Sequence, residues 1–337
     1  MANLEPSRYM SSSSRSHSAR PASPVAPRRS RATEWPTLGL ALVIYGGWAA
    51  VTYWHQLLPV WVVVPVGAWL VAWHGSLQHE ILHGHPTRSQ RLNFALGSVP
   101  LGLWMPFQSY RIAHLVHHRD ERLTDPLDDP ESYYWRQADW EALGRLGRCL
   151  VRLQTTLLGR IIVGPAWNIS RFLMLEAGDM RHGNRTKIRI WMRHALYALP
   201  VILWLVLVCR MNLAFYCLAI VYPATSLLVI RSFAEHRAAQ GVFERTAIVE
   251  NSWILGPLFL FNNLHAAHHE FPNLPWYRLP GWYRDNRARL VAENGGLVYD
   301  GYFDVVRRFL LTPHDRPQHP FARTAAAAAA SAPPVAA

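Results

Sequence analysis

Cysteine is scarce in this chain of 337 residues: Cys149, Cys209 and Cys217 are scattered, and none stands in a Cys-x-x-Cys pair. That excludes a disulfide framework and a thiolate metal site. Charge is scarce too, at 17% of residues, against roughly 25% in soluble domains. Lys187 is the only lysine, so arginine carries the net charge of +12. The chain has no Gly-x-Gly-x-x-Gly turn for a dinucleotide, no cysteine quartet for an iron–sulfur or rubredoxin centre, and no recognisable haem domain. Any electrons it uses must therefore come from a separate donor. It also lacks a nucleic-acid-binding motif, and arginine beside membrane spans accounts for the basic balance without nucleic acid.

What the chain has is hydrophobic residues, at half the total, with 15 Trp and 17 His. The apolar residues gather into four runs, at about 37–54, from 60 into a histidine cluster, at about 195–208, and at about 213–230. The third is short for a crossing of about 20 residues. A start near Trp191, with Arg193 snorkelling to the headgroups, would lengthen it. Residues 94–107 and 161–175 are apolar but broken by Gly, Pro or polar residues, and read as interfacial or re-entrant segments. Residues 1–34 read as a disordered basic tail, 35–312 as the membrane domain, and 313–337 as a disordered Pro/Ala-rich tail. Residues 55–57 and 210–212 are very short links, so the spans pair into two helical hairpins. The arginine-rich N-terminus sets the cytoplasmic side. Four crossings then return residues 86–190 and the C-terminal region to that side.

The histidines form three clusters. On a helix, positions i, i+3 and i+4 share a face. His79 and His83 of HEILH present two imidazoles in this way. His114, His117 and His118 of HLVHH present three, as do His265, His268 and His269 of HAAHH. Such a number exceeds the roughly four ligands zinc takes and suits two ions that keep positions open for dioxygen. Imidazole alone does not select iron over zinc, copper or nickel; the number of ligands favours it. HEILH also fits a zinc metalloprotease pattern, with Glu80 activating water, but that leaves both HxxHH triplets without a task. A metal transporter would carry polar groups along its spans, whereas these spans are almost wholly apolar. Glu80, Asp120 and Glu270 are expected to orient imidazoles. His85 turns off the shared face, towards a supporting or substrate contact. His74 has no partner by spacing, and His17, His314 and His319 read as solvated.

HxxxH, then HxxHH about thirty residues on, then a distant HxxHH after two more spans resembles the membrane fatty acid desaturases, over roughly residues 37–310. Thr124-Asp125-Pro126 and Asp129-Pro130-Glu131 are similar to the acidic segment after the second box. NLHAAHHEFPNLPWYRLP, residues 263–280, is similar to the third box and its continuation. The wider superfamily includes carotenoid ketolases and hydroxylases and alkane monooxygenases.

The resemblance implies an all-α integral membrane protein. Four transmembrane helices in two hairpins would carry a cytoplasmic helical cap holding a histidine-rich diiron site. It implies two iron ions held by the clustered histidines and by His236 at the end of the fourth span, with Ser232 four positions earlier. It further implies an oxygen-dependent enzyme of a bacterial inner membrane, served by a separate ferredoxin-like donor. The expected substrate is the acyl chain of a lipid or acyl thioester, with Trp69, Trp73 and Trp104 as tunnel-lining or interfacial residues. Carotenoid hydroxylation or ketolation, and desaturation of a small amino-acid-derived metabolite in the manner of a dihydrorhizobitoxine desaturase, are the alternatives.

Overall fold

Lipid offers the backbone no hydrogen-bond partner, so an apolar run of membrane length satisfies its own N–H and C=O groups as a helix. The computed structural model describes residues 33–321. It is mostly helical, with four helices long and apolar enough to cross a membrane. The first two are α1 (Trp35–Tyr53) and α2 (Val60–Leu82). After α3 (Gln90–Gly97), α4 (Phe107–His117), α5 (Gln137–Ala142), α6 (Arg145–Leu153) and α7 (Leu157–Arg181) come two composite rods. α8 (Arg185–Leu203) continues through a π-helical turn, Trp204–Val208. α9 (Leu213–Phe215) passes through another, Tyr216–Val221, into α10 (Tyr222–Glu235). The remainder holds α11 (Leu255–Leu258), α12 (His265–Glu270), α13 (Leu279–Glu293) and α14 (Gly301–Phe309). A short strand, β1 (Ile248–Val249), pairs in parallel with β2 (Val298–Tyr299).

Several boundaries differ from those the sequence suggests. The third apolar helix starts at Arg185 because Asn184 caps it, accepting from the Lys187 N–H at 3.1 Å. Residues 161–175 belong to the continuous helix α7, capped by Thr156 and running through Pro165. Within 94–107 only residues up to Gly97 are helical before α4 begins; Leu103, at φ 63°, takes the left-handed backbone of a turn. Glu34, assigned to the tail, is buried and its N–H donates to the Pro86 carbonyl at 3.0 Å. Residues 313–321 are no free tail either. His314 N–H donates to Thr155 O (2.7 Å), Trp135 N–H to Pro317 O (2.8 Å) and His319 N–H to Trp135 O (3.0 Å). Nor are the two histidines solvated: His314 Nε2 meets the Tyr299 hydroxyl at 2.9 Å and His319 Nε2 meets Thr124 Oγ1 at 3.1 Å. Burial pushes His314 down to about 4. The rest of both expected tails, with His17, lies outside the described residues.

α2 packs between α1 and α10, and α7 lies against α10. A Cβ on Gly75 would sit 2.7 Å from Leu228 Cδ1, so the missing side chain lets α10 approach α2. Local contacts then gather the histidine-bearing segments. Asn93 Nδ2 donates to the Gly84 and Thr87 carbonyls at 3.0 and 2.9 Å, fixing the exit from α2. Ala247 N–H donates to Glu235 O (2.8 Å) and Ala266 N–H to Ala247 O (3.2 Å), tying the end of α10 to α12.

Inside the apolar core, fully buried Tyr216 donates to Leu101 O at 2.7 Å and accepts from Trp48 Nε1 at 2.8 Å. Tyr216→Phe strands both partners, at a cost of about 1–2 kcal/mol. Thermal unfolding in detergent should fall by about 2–6 °C with metal content unchanged. An unaltered melting temperature would contradict this role.

Candidate metal centre

The histidines reach one place from four stretches of chain. His79 lies in the last turn of α2 and His83 caps it; His114 and His117 end α4, with His118 as its cap. His265, His268 and His269 lie on α12. α10 stops at Glu235, and the extended backbone of His236 (φ −132°, ψ 144°) breaks the helical path there. Nine rings form two sets: His79, His83, His114, His118 and His268 in one, and His117, His236, His265 and His269 in the other. Within each set the candidate ligand atoms all lie within 4.8 Å of one another. The sets adjoin, with the His118 and His269 rings stacked at 4.3 Å. Every histidine expected at the site is in one of these two sets.

Four of the outward nitrogens have oxygen partners. His117 Nδ1 donates to Asp129 Oδ1 and His114 Nδ1 to Glu131 Oε1, both at 2.9 Å. His265 Nδ1 donates to Asn262 Oδ1 (3.0 Å), with Glu235 Oε1 at 3.2 Å, and His236 Nδ1 faces the Arg245 carbonyl at 3.3 Å. Asp129 is itself held by the Thr124 and Glu131 N–H groups, each at 2.9 Å. With Nδ1 carrying the proton, Nε2 carries the lone pair. His117 and His236 nevertheless bring their Nε2 atoms to 3.0 Å, and His236 and His265 to 2.9 Å. Between His236 and His265 this sets lone pair against lone pair, an arrangement that a shared cation resolves, whereas a protonated His117 donates its Nε2–H to His236 until a metal displaces that proton. In the other set the Nε2 spacings are 2.9 Å for His114–His118, 3.1 Å for His118–His268 and 3.2 Å for His83–His114. Bonds of about 2.1 Å place two nitrogens roughly 3.0 Å apart at right angles and roughly 3.4 Å apart at the tetrahedral angle. The donors therefore fit a metal of five or six ligands better than tetrahedral zinc.

Burial pulls His83, His118, His236, His265 and His268 well below the ordinary histidine value, helped by their neighbours' rings, so they stay neutral and ready to ligate. His117 differs. Burial alone would lower it, but Glu131 and Asp129 outweigh that and hold it up at about 9. Glu131 is pulled down to about 2, the His114 and His117 charges overcoming its burial.

Other expected residues lie apart. Glu80 orients none of the nine imidazoles; it accepts the Trp276 N–H at 2.8 Å and lies 3.8 Å from His85 Nε2. The reason is helical phase, which turns Glu80 off the face that His79 and His83 share. His85 pairs through Nδ1 with Glu34 at 2.6 Å, outside both sets. Glu270 pairs with Arg289 at 2.8 Å, and the side chain of Asp120 lies outside the described residues. His74 meets the Tyr45 hydroxyl at 3.2 Å, and Ser232 bonds the Val229 carbonyl at 3.4 Å. Trp73 Nε1 donates to Pro257 O at 3.0 Å, and Trp69 packs at the edge of the core. Trp104 lines a cavity of 380 Å³ that reaches His117 and His236. A groove of 750 Å³ on the other flank reaches His83 and His118. Sequence reasoning gave no role to Asn262 and Tyr133. The Tyr133 hydroxyl donates to the His236 carbonyl at 2.5 Å.

Apolar membrane-length helices ending at converging, carboxylate-backed imidazoles define the class: a membrane protein with a histidine-rich metal site. The sequence pattern of the family described as Fatty acid desaturase matches residues 56–303, and the chain belongs to that family. It is therefore an oxygen-dependent oxidoreductase. Among curated proteins it is similar to a beta-carotene ketolase of Paracoccus sp., 26% identical over 256 residues, covering 72% of this chain and 86% of the relative.

Two outcomes test the geometry. Asp129→Asn should weaken metal binding by about 10–100-fold while leaving the chain folded; unchanged affinity would remove the carboxylate from the account. Because His117 is raised to about 9, a metal must displace its proton at any lower pH. Zinc affinity under chelator competition should thus climb by about tenfold per pH unit from neutrality and level off above that value. A flat profile would contradict the assignment.

Proposed function

We propose that this is a diiron enzyme that forms a carbon–carbon double bond in a fatty acyl chain, using dioxygen and a separate ferredoxin-like donor. The observation that carries the reading is the division of nine imidazoles into adjoining sets of five and four. The first set would hold one iron and the second the other. Bound there, the iron pair would supply the oxygen activation needed to break an unactivated C–H bond, which side chains cannot do unaided. The reaction balances when two hydrogens leave the substrate and dioxygen departs as two waters, with two electrons from the donor and two protons from solvent.

The chain's own residues do the rest. Asp129, Glu131 and Asn262 hold protons on Nδ1 and so keep Nε2 free to ligate. His117 gives up its proton when metal enters. The apolar helices keep bulk water from the reacting carbon. The reading places the protein in a bacterial inner membrane, with both termini and the centre cytoplasmic, as arginine-rich segments favour. That basic surface suits an acidic electron donor.

The beta-carotene ketolase relative favours a second reading, oxygen insertion into a carotenoid. Expression in a host lacking desaturases, followed by mass spectrometry of lipids and polar metabolites, separates the two. An acyl pool that loses two hydrogens supports desaturation; a carotenoid that gains oxygen supports the second reading. His117→Ala and His268→Ala should each cut product by more than about a hundredfold while the protein remains membrane-inserted. Full turnover in either variant would count heavily against the ligand assignment.

A further inference from the structure

The cavity beside His117 and His236 contains a cation that the metal centre does not use. Arg160, in the first turn of α7, is 5% exposed and lines this cavity. Its Nε donates to the Gln154 carbonyl at 2.9 Å, the only hydrogen bond its side chain makes among the described residues. Its guanidinium lies over the Tyr133 ring, 4.7 Å from the centroid. The carboxylates on the same wall are committed elsewhere. Asp315 accepts from the Tyr134 hydroxyl at 2.5 Å, and Glu235 pairs with Arg231 at 2.9 Å. Asp129 and Glu131 serve His117 and His114, each at 2.9 Å. Burial lowers the Arg160 guanidinium, and the groups that work against this are Tyr133 and Tyr134, not a carboxylate.

Arginine does not give up its proton, so a guanidinium in this setting stays charged, and burying it without an anion is expensive. Stacking on Tyr133 offsets part of that cost and holds the plane of the fork. The Tyr133 hydroxyl is anchored on the backbone of His236, so an anion held at Arg160 lies one aromatic side chain away from the metal centre. The cavity also has aromatic walls, with Trp104 and Phe172 packed edge to face at 5.6 Å, and its other arginines are Arg231, paired with Glu235, and Arg171 and Arg316. A cationic end, aromatic walls and site histidines in one cavity suit an amphiphile whose head is an anion.

We propose that Arg160 binds the carboxylate of the substrate, so that the enzyme acts on a free acid instead of an uncharged carotenoid or an acyl thioester. The inference rests on the oxygenase reading of the same site and narrows its substrate class. The arginine fork matches the two oxygens of a carboxylate, and one buried cation balances its single charge. The volume of 380 Å³ is at the low end of ligand pockets, about 300–1,000 Å³, and suits a short or medium chain.

The test is binding, read as quenching of tryptophan fluorescence in the purified full-length protein in a non-ionic detergent, since Trp104, Trp135 and Trp167 line the cavity. Octanoate should saturate the signal, and octanol should bind at least about thirtyfold more weakly. Arg160→Gln should weaken octanoate by a similar factor and leave octanol unchanged, with metal content intact; Arg160→Lys should fall between. Equal binding of octanoate and octanol by the native chain, or native octanoate affinity in Arg160→Gln, would overturn the proposal. Tighter binding of octyl phosphate than of octanoate would overturn the choice of carboxylate. Should Arg160→Gln fail to fold, the comparison of octanoate with octanol on the native chain still decides. Failure of the oxygenase reading would show differently, as protein that prefers octanoate yet holds no iron.

Discussion

The centre depends on an electrostatic constraint: imidazole nitrogens from four stretches of chain are aimed at one another at about the spacing a metal requires. His236 and His265 show it most clearly, since each has its Nδ1 occupied by an oxygen and the two Nε2 atoms lie 2.9 Å apart. Such a cluster is unfavourable by itself, so it must be imposed by what surrounds it. Asp129 does so through three bonds at once, to His117 and to two backbone N–H groups. Metal binding then relieves what the fold imposes, which couples loading to stability.

The helices supply the frame and most of the imidazoles, and the irregular chain supplies the carboxylates behind them. A purely apolar span cannot afford nine imidazoles and their carboxylates at bilayer depth, and the structure places the sets where α2 and α10 end. The irregular chain after α4 can bring Asp129 and Glu131 behind His117 and His114. Thr124 takes a left-handed backbone there (φ 70°), and its N–H is held by Asp129. The stretch from Glu235 through Ala247 to Ala266 gives the last histidines a backbone link to α10. The two cavities then reach different faces of the centre, one at His117 and His236 and the other at His83 and His118.

What could be read from sequence follows from how local each signal is. The clusters at His79, His114 and His265 were legible because helical spacing alone puts their rings on a shared face. His236 has no spacing partner, so only resemblance to a family pointed to it. The acidic segment at Asp129 and Glu131 was visible, but its pairing depends on the chain folding back, which no periodicity records. Glu80 was misread because adjacency in sequence is not adjacency on a helix; it joins Glu34 and His85 instead. Hydropathy hid the start of α8 at Arg185, whose arginine-rich first turns are as helical as the apolar remainder. The packed segment 313–321 was equally hidden, since separate backbone and side-chain contacts hold it, with no regular element of its own.

The most direct measurement of the central claim is the metal content of protein purified without oxygen, with Mössbauer spectroscopy of the iron. Sets of five and four imidazoles predict two irons per chain, magnetically coupled when oxidised and in nitrogen-rich surroundings. A single tightly held zinc, or two irons with no coupling between them, would contradict the account.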